Sequence, residues 1–373
     1  MLFLSFQVTP WYHTLSTHRF TSFSISSINR RIPQYYRKKE YRNRYSSTVC
    51  LSLPVPELDS RPLELDMKLS PFPFVKYQGL GNDFVIVDNR HQENLLLTAE
   101  QVKYVCDRRF GIGADGVIFF LPPKDNGNDG KMRILNSDGS EPEMCGNGIR
   151  CLAKYMRDLS PEWQEKRIVR IETLAGVMVI EFVTDSGVKV DMGKPILEPA
   201  KVPTTLKPKT LKDSAVIAVP IQIENRTFHV TCVSMGNPHC VIFVDNLEEF
   251  ENSLEYWGPR IERALWFPNR TNVEFVKVVD DEEIKVVVWE RGAGRTLACG
   301  TGACASVVAL KLIGGSGLEQ KVVLPGGILA CHWDTDGHVY MTGPAEQVFQ
   351  GHFVAASTYR LNKNHSQKNS LDK

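Results

Sequence analysis

The feature that most constrains this chain is that it carries the same pattern twice. Gly81-Asn82-Asp83-Phe84 leads into an apolar run ending at Asp88, and Gly236-Asn237-Pro238-His239 leads into another ending at Asp245. Cys145-Gly146-Asn147-Gly148 follows the first block, its cysteine 63 residues after Asn82; Cys299-Gly300-Thr301-Gly302 follows the second, its cysteine 62 residues after Asn237. A third block, Gly176, Gly187, Gly193 and Pro195, is answered by Gly327, Gly337, Gly343 and Pro344. Two similar halves imply two similar domains facing each other across a cleft. There each motif would meet its own copy, at a usual place for a ligand pocket.

The local pattern is rich in strands. Runs such as Gly116–Leu121, Val169–Val183, Thr227–Val233, Asn272–Val279 and Ile284–Trp289 read as β. Turn chemistry separates them at Asp185-Ser186-Gly187, Pro325-Gly326-Gly327 and Asp336-Gly337. Two helices follow the cysteine motifs directly. Ile149, Leu152, Ala153, Met156 and Leu159 recur at helical spacing after Gly148, and residues 303–313 are apolar except Ser306 and Lys311, with Gly314-Gly315 as the stop. The second helix, apolar nearly all round, is expected to be a buried axis. The fold class expected is α+β: two pseudo-symmetric domains, each a β-roll of mixed and antiparallel strands around a central helix, with the active site in the interdomain cleft. Gly111-x-Gly113-x-x-Gly116 matches the dinucleotide fingerprint, but a strand-like run follows it where a helix is required, so it reads as a turn.

The ends of the chain differ from its middle. Residues 1–50 hold eight Lys or Arg, eight Ser and a single acid, Glu40, which leaves 36 basic and 42 acidic residues for the rest. Such an Arg- and Ser-rich, acid-poor leader is expected to be a transit peptide, and its Ser and Thr density and the Ser46-Ser47-Thr48-Val49-Cys50 stretch point to the chloroplast stroma. A Pro-rich linker over 51–71 follows, and 363–373 reads as a disordered tail. No apolar run approaches the roughly 20 residues needed to span a bilayer. The negative charge of the remainder and the lack of a basic aromatic patch argue against a nucleic-acid partner. The nine cysteines contain no CxxC pair. A disulfide framework and a structural zinc site are therefore both unsupported, and no metal is expected.

Each duplicated cysteine sits just before the first turn of a helix, in a glycine-rich loop. Free backbone N–H groups and the positive end of the helix dipole converge there. The loop can cradle a carboxylate, and a thiol in that position is expected to be pushed toward thiolate. Two such loops place one thiol on each side of a bound molecule, which fits stereoinversion: one thiolate takes a Cα proton and the opposite thiol delivers another. The carbanion's charge runs into a carboxylate held by two helix ends, so no cofactor is required. Cys106, Cys151, Cys232, Cys240, Cys304 and Cys331 read as packing residues; Cys145 and Cys299 are the catalytic candidates.

Six segments in order, KYQGLGNDFVIVD (76–88), RRFGIGADG (108–116), NSDGSEPEMCGNGIRC (136–151), MGNPHCVIFVD (235–245), RTNVEFV (270–276) and ERGAGRTLACGTGACA (290–305), resemble diaminopimelate epimerase over about residues 72–360. The resemblance implies interconversion of LL- and meso-2,6-diaminopimelate in lysine biosynthesis, without pyridoxal phosphate or metal, and with the leader it resembles a plant plastid form. Cys145 and Cys299 fall on the family's catalytic pair. Asn82, Asn136, Asn237, Asn272 and Arg291 fall on residues that hold the substrate, largely its distal end. Glu290, Gly146, Asn147, Gly300 and Thr301 match the pocket around the reacting carbon, and His239 a supporting residue. Gly116 stands where some members carry Gln, so no role is carried there. The resemblance also implies that the last strand returns to the first domain, which then comprises 72–196 plus 345–362, with 197–344 as the second. The expected partner is a small molecule, with a homodimer compatible. A proline or hydroxyproline racemase-like enzyme is the nearest rival; such relatives carry His where this chain has Asn147. A non-enzymatic redox-sensing protein with paired thiols would explain the cysteines but not Glu290, Arg291 or the asparagines.

Overall fold

In the computed structural model the described residues run from Pro71 to Val354, apart from 185–186, 211–213, 316 and 318. The leader 1–50, the linker up to residue 70, the Asp185-Ser186 turn and everything beyond 354, including the 363–373 tail, lie outside the described residues.

The first half opens with β1 (Phe72–Gly79) and β2 (Asn82–Asp88), an antiparallel hairpin closed by Leu80-Gly81. Both turn residues have positive φ, 56° and 82°, the geometry that matches the right-handed twist of the flanking strands. A left-handed leucine costs on the order of 1–2 kcal/mol. Packing offsets that cost, because Leu80 is buried against Gly326 and Gly327 of the other half. A methyl added at Gly327 would lie 2.6 Å from Leu80 Cδ2.

Helix α1 (Ala99–Cys106) starts at a capping box in which Thr98 and Gln101 bond reciprocally. It is followed by β3 (Gly116–Leu121), β4 (Gly130–Asn136), α2 (Gly146–Leu159), the short α3 (Pro161–Glu165), and the meander β5 (Ile168–Thr173), β6 (Gly176–Phe182) and β7 (Gly187–Asp191). The second half follows with β8 (Val219–Ile223), β9 (Arg226–Ser234), β10 (Pro238–Phe243), α4 (Leu247–Asn252), α5 (Leu254–Glu262), β11 (Asn272–Val278), β12 (Glu283–Glu290) and the two-residue β13 (Gly294–Arg295). Then come α6 (Gly300–Leu312), β14 (Glu319–Leu324), β15 (Gly327–Trp333), β16 (Val339–Pro344) and β17 (Glu346–Phe353).

Strand pairing repeats the sequence duplication. In the first half β1 is antiparallel to β2, β2 parallel to β3, β3 antiparallel to β4 and β4 parallel to β5. In the second half β9–β10, β10–β11, β11–β12 and β12–β14 run in the same four senses. Each half ends in an antiparallel meander, β5–β6–β7 or β14–β15–β16. The outer strand is supplied differently: β8 precedes its partner β9, whereas the last described strand, β17, returns to pair with β1. Antiparallel β16–β7 pairing joins the two halves into one sheet, which has 17 strands among the described residues.

Each half is thus a β-roll around one helix. Ile149, Leu152, Ala153 and Met156 of α2 are wholly buried, and so are Ala303, Cys304, Val307 and Val308 of α6. Both helices share one core. Two satellite cores pack on outer faces, under α1 and under α4–α5. The run 169–183 is two strands rather than one. It breaks at Leu174-Ala175, and Gly176 opens β6 at φ 117°, as Gly327 opens β15 at φ 140°.

Candidate active site

Cys145 and Cys299 are the N-cap residues of α2 and α6, with nearly the same backbone: φ −136°, ψ 117° and φ −122°, ψ 111°. An extended N-cap residue turns its side chain over the first helical turn, where the amides lack intrahelical acceptors. Each sulfur accepts from the amide three residues on, Gly148 N–H or Gly302 N–H, both at 3.4 Å. The glycines let the two helix starts approach one side chain, Met341 of β16. A methyl at Gly146 would lie 3.1 Å from Met341 Cε, and one at Gly300 3.1 Å from its Sδ. Asn147 Nδ2 crosses the seam to the carbonyl of Ala298, the residue before Cys299, at 3.4 Å.

Around Cys145 the neighbours are amides. Its thiol faces Asn82 Oδ1 at 3.9 Å, which also accepts from Asn147 Nδ2 at 3.2 Å. Asn82 Nδ2 donates to Asp115 at 2.7 Å. Arg108 pairs with Asp115 and Asp83, each at 2.7 Å. Burial would raise Asp83, but Arg108 and Lys76 hold it down to about 2.

Around Cys299 the neighbours are a hydroxyl and carboxylates. Thr301 Oγ1 lies 3.5 Å from the sulfur. Glu290, the last residue of β12, accepts from Thr296 at 2.6 Å. Burial raises its carboxyl, opposed by the hydrogen bonds from Thr296 and Cys299. Behind it, the fully buried His239 places Nδ1 2.7 Å from Glu274 Oε1 and Nε2 2.9 Å from Asn237 Oδ1. Glu274 abuts the first turn of α6, since a methyl on Gly302 would meet its Oε1 at 2.7 Å.

The remaining candidates lie at strand ends. Asn272 begins β11, donates to the Pro238 carbonyl at 2.9 Å and accepts from Arg291 N–H at 2.8 Å. The exposed Arg291 side chain reaches the Asn269 carbonyl at 3.3 Å and pairs with no carboxylate among the described residues. Asn136 ends β4 as Glu290 ends β12, but its amide turns to Ser140 at 3.0 Å, within its own loop. The geometry therefore links Asn82, Cys145 and Asn147 directly, gathers Glu290, Cys299 and Thr301, and sets Asn237 with His239 behind the second group.

One expectation is reversed. Burial, not the helix end, dominates both thiols. It pushes Cys145 up, against the Gly148 amide, while Glu290 adds to the rise. It pushes Cys299 well up, with Glu290 and Glu274 adding to the rise. Cys145 is half-buried and Cys299 buried, and there the desolvation of a thiolate outweighs two or three backbone N–H groups. The six cysteines read as packing residues are all buried. A hollow of about 570 Å³ lies along β1 and β17, and none of its lining residues belongs to either cysteine loop. Among the described residues no group of three or more His, Cys, Asp or Glu could hold a metal ion, and no helix is long and apolar enough to cross a membrane.

Three neighbours escaped sequence reasoning: Arg150, Glu274 and Asp115. Glu274 left a faint signal, as a charge flanked by buried residues throughout the N-terminal part of β11.

Comparison with known proteins agrees with this fold. The sequence model of the family described as "Diaminopimelate epimerase" matches residues 74–198 and 231–348. A diaminopimelate epimerase of Nostoc punctiforme is 55% identical over 279 residues, covering 74% of this chain and 98% of its own. That of Microcystis aeruginosa is 55% identical over 280 residues, covering 75% and 98%. Among solved structures, a PhzF-family phenazine biosynthesis protein of Bacillus anthracis superposes with TM-score 0.54 at 16% identity, covering 76% of this chain and 99% of its own. A hydroxyproline epimerase from Agrobacterium vitis, solved with trans-4-hydroxy-L-proline, gives 0.54 at 15%, covering 77% and 92%. At that identity the two structures share the fold alone. With a family model spanning both halves and relatives identical at more than half of the aligned positions, the chain belongs to the diaminopimelate epimerase family.

Proposed function

We propose that this chain is an isomerase that interconverts LL-2,6-diaminopimelate and meso-diaminopimelate in lysine biosynthesis, with Cys145 and Cys299 as its two bases and no cofactor. The observation that carries the reading is the pair of sulfurs capping two helices whose first turns meet across Met341.

The chemistry follows from that placement. The thiolate of one cysteine takes the Cα proton, and the C–H electron pair moves into the α-carboxylate. The thiol of the other cysteine gives its proton to the opposite face, leaving substrate inverted and the two sulfurs exchanged in protonation. The helix starts at Gly146-Asn147 and Gly300-Thr301 receive the carboxylate, whose charge grows as the proton leaves. A thiol raised by burial makes the stronger base once ionised, which suits a weakly acidic C–H. Glu290 is suited to an ammonium group, and Arg291, with its guanidinium free of carboxylates among the described residues, to the distal carboxylate. Asn82, Asn136, Asn237 and Asn272 would complete the polar lining, with His239 in support.

The test compares substrates. Diaminopimelate should be turned over about 10⁴-fold better, in kcat/KM, than 2-aminopimelate or lysine, because a truncated end leaves buried polar groups unpaired. Turnover of all three within tenfold, or of proline instead, would remove the substrate assignment.

The leader supports a chloroplast address through its composition, and residues 1–50 fused to a fluorescent protein should enter plastids; fluorescence that stays in the cytosol would overturn it. The division into 72–196 plus 345–362 and 197–344 is supported by β17 pairing with β1. The homodimer is supported by exposed Val348 and Phe349 on that edge strand. Sedimentation of Phe349→Asp should then give a monomer; a monomeric wild type would dismiss the dimer.

A further inference from the structure

Arg150, on the second turn of α2, is the largest wholly buried side chain among the described residues. Its guanidinium donates to the Gly146 carbonyl at 3.2 Å, to Asn147 Oδ1 at 2.9 Å and to the Pro344 carbonyl at 3.3 Å, and rests 3.7 Å from Met341 Sδ. Among the described residues no carboxylate pairs with it. A cation taken out of water without a counter-ion is expensive and is rarely kept for stability. Yet the fold makes room for this one. A methyl at Gly79 would lie 3.1 Å from Nη2, and one at Gly343 3.2 Å from Nε.

A guanidinium only donates, so the amide oxygen of Asn147 must face Arg150 and its Nδ2 must face away. That nitrogen then reaches both Asn82 Oδ1, at 3.2 Å, and the Ala298 carbonyl, at 3.4 Å. At the far end Asp115 accepts from Asn82 Nδ2, which leaves Asn82 Oδ1 for the Cys145 thiol. Neither amide can flip without setting donor against donor. The chain from Arg150 to Asp115 therefore fixes where the Cys145 S–H points, and through Ala298 it touches the Cys299 loop. Aligned on the two cysteine motifs, the second half places Cys304 where the first has Arg150, so the device exists on one side only.

We propose that Arg150 is a positioning residue of the two-cysteine site, fixing the Asn147–Asn82 amide chain that orients Cys145 and holding a cation beside that sulfur for the anionic stage of the reaction. The proposal rests on the epimerase reading only for its effect on turnover. The other charged or titratable groups facing the pair are Glu290 from β12, which acts on Cys145, and Cys151 on α2, Cys331 on β15 and Cys304 on α6, which face Arg150. Burial and Glu290 raise Cys145, while the Gly148 and Asn147 amides and then Arg150 lower it, so loss of the cation leaves only the two amides against them.

The test uses the full chain with Arg150→Met and Arg150→Lys, folding being checked by thermal melting. Two quantities are read: the pH midpoint of iodoacetamide alkylation at Cys145 and Cys299, resolved by peptide mass spectrometry, and kcat and KM for diaminopimelate. Arg150→Met should raise the Cys145 midpoint by about one pH unit, move Cys299 by less than a third of that, and lower kcat about 100-fold with KM within threefold. Arg150→Lys should restore the midpoint while kcat stays about tenfold low, because an ammonium cannot reproduce the fork. A folded Arg150→Met whose Cys145 midpoint is unmoved overturns the proposal, whatever happens to kcat. If neither variant folds, Gly79→Ala leaves Arg150 in place and crowds its Nη2. A raised Cys145 midpoint with kcat at least threefold low then supports the role, and wild-type values overturn it. Alkylation needs no substrate: a wild type inactive on diaminopimelate whose Cys145 still responds to Arg150→Met would sink the functional reading and leave this one standing.

Discussion

Cys145 and Cys299 cap their helices in the same way, each receiving one amide at 3.4 Å and each starting a helix that packs on Met341. Their surroundings differ in charge. Cys145 lies among the amides of Asn82 and Asn147 with the Arg150 guanidinium behind them, whereas Cys299 lies against Glu290 and near Glu274. Duplication accounts for what they share, two helix ends that can receive one carboxylate. Divergence accounts for what they do not share: Glu290 adds to the rise of both thiols, and Glu274 adds to that of Cys299.

The comparison can be broken most severely by removing either sulfur. Cys145→Ala and Cys299→Ala should each lower kcat by about 10³-fold or more while thermal melting stays near wild type, since inversion needs an acid and a base on opposite faces. A variant that keeps its rate within about tenfold, worth roughly 1.4 kcal/mol of barrier, takes that cysteine out of the mechanism.

Glu290→Gln should cost about 10²-fold in kcat and should also ease ionisation of Cys299. The sign follows from the carboxylate: its negative charge raises both thiols, and of the two only Cys299 hydrogen-bonds to it. The pH midpoint for Cys299 alkylation should therefore fall, and that for Cys145 should fall less. An equal fall at both sulfurs would contradict the asymmetry.

In the wild type both midpoints should lie above the ordinary thiol value of about 8.5, because burial raises both groups, with Cys145 titrating first as pH rises. A midpoint near 7 at either sulfur would mean that the helix end, not burial, governs that site.

The smallest effect tests what the halves share. Gly146→Ala and Gly300→Ala each press a methyl against the flexible end of Met341, so each should cost only about 1 kcal/mol of stability in urea unfolding. A cost several times larger at one position would show that the two helix starts are not packed alike.

Much of this was legible in the sequence, because duplication writes itself as matched intervals. The Asn-to-Cys spacings anticipated two cysteines at helix starts, and Gly176 and Gly327 do open equivalent strands. Interval and periodicity say nothing of what surrounds an element on all sides. Ile149, Leu152, Ala153 and Met156 mark one apolar face of α2, which leaves Arg150 looking like solvent-facing charge; only the wrapping strands and the Gly79 and Gly343 slot make it a buried cation. The thiols were misjudged for the same reason. A helix N-terminus is visible in the order of residues, but the burial around it comes from two halves closing over it.

The central claim, one thiol on each face of the substrate, is tested most directly by following LL-diaminopimelate in deuterated water at low conversion. A base on one face removes protium, and a second group already carrying solvent deuterium supplies the other face. The meso product should therefore carry one deuterium at the inverted carbon while recovered LL-substrate carries almost none. Meso product that retains its original proton, or recovered substrate labelled as fast as product, would mean that one group serves both faces, and the account would fail.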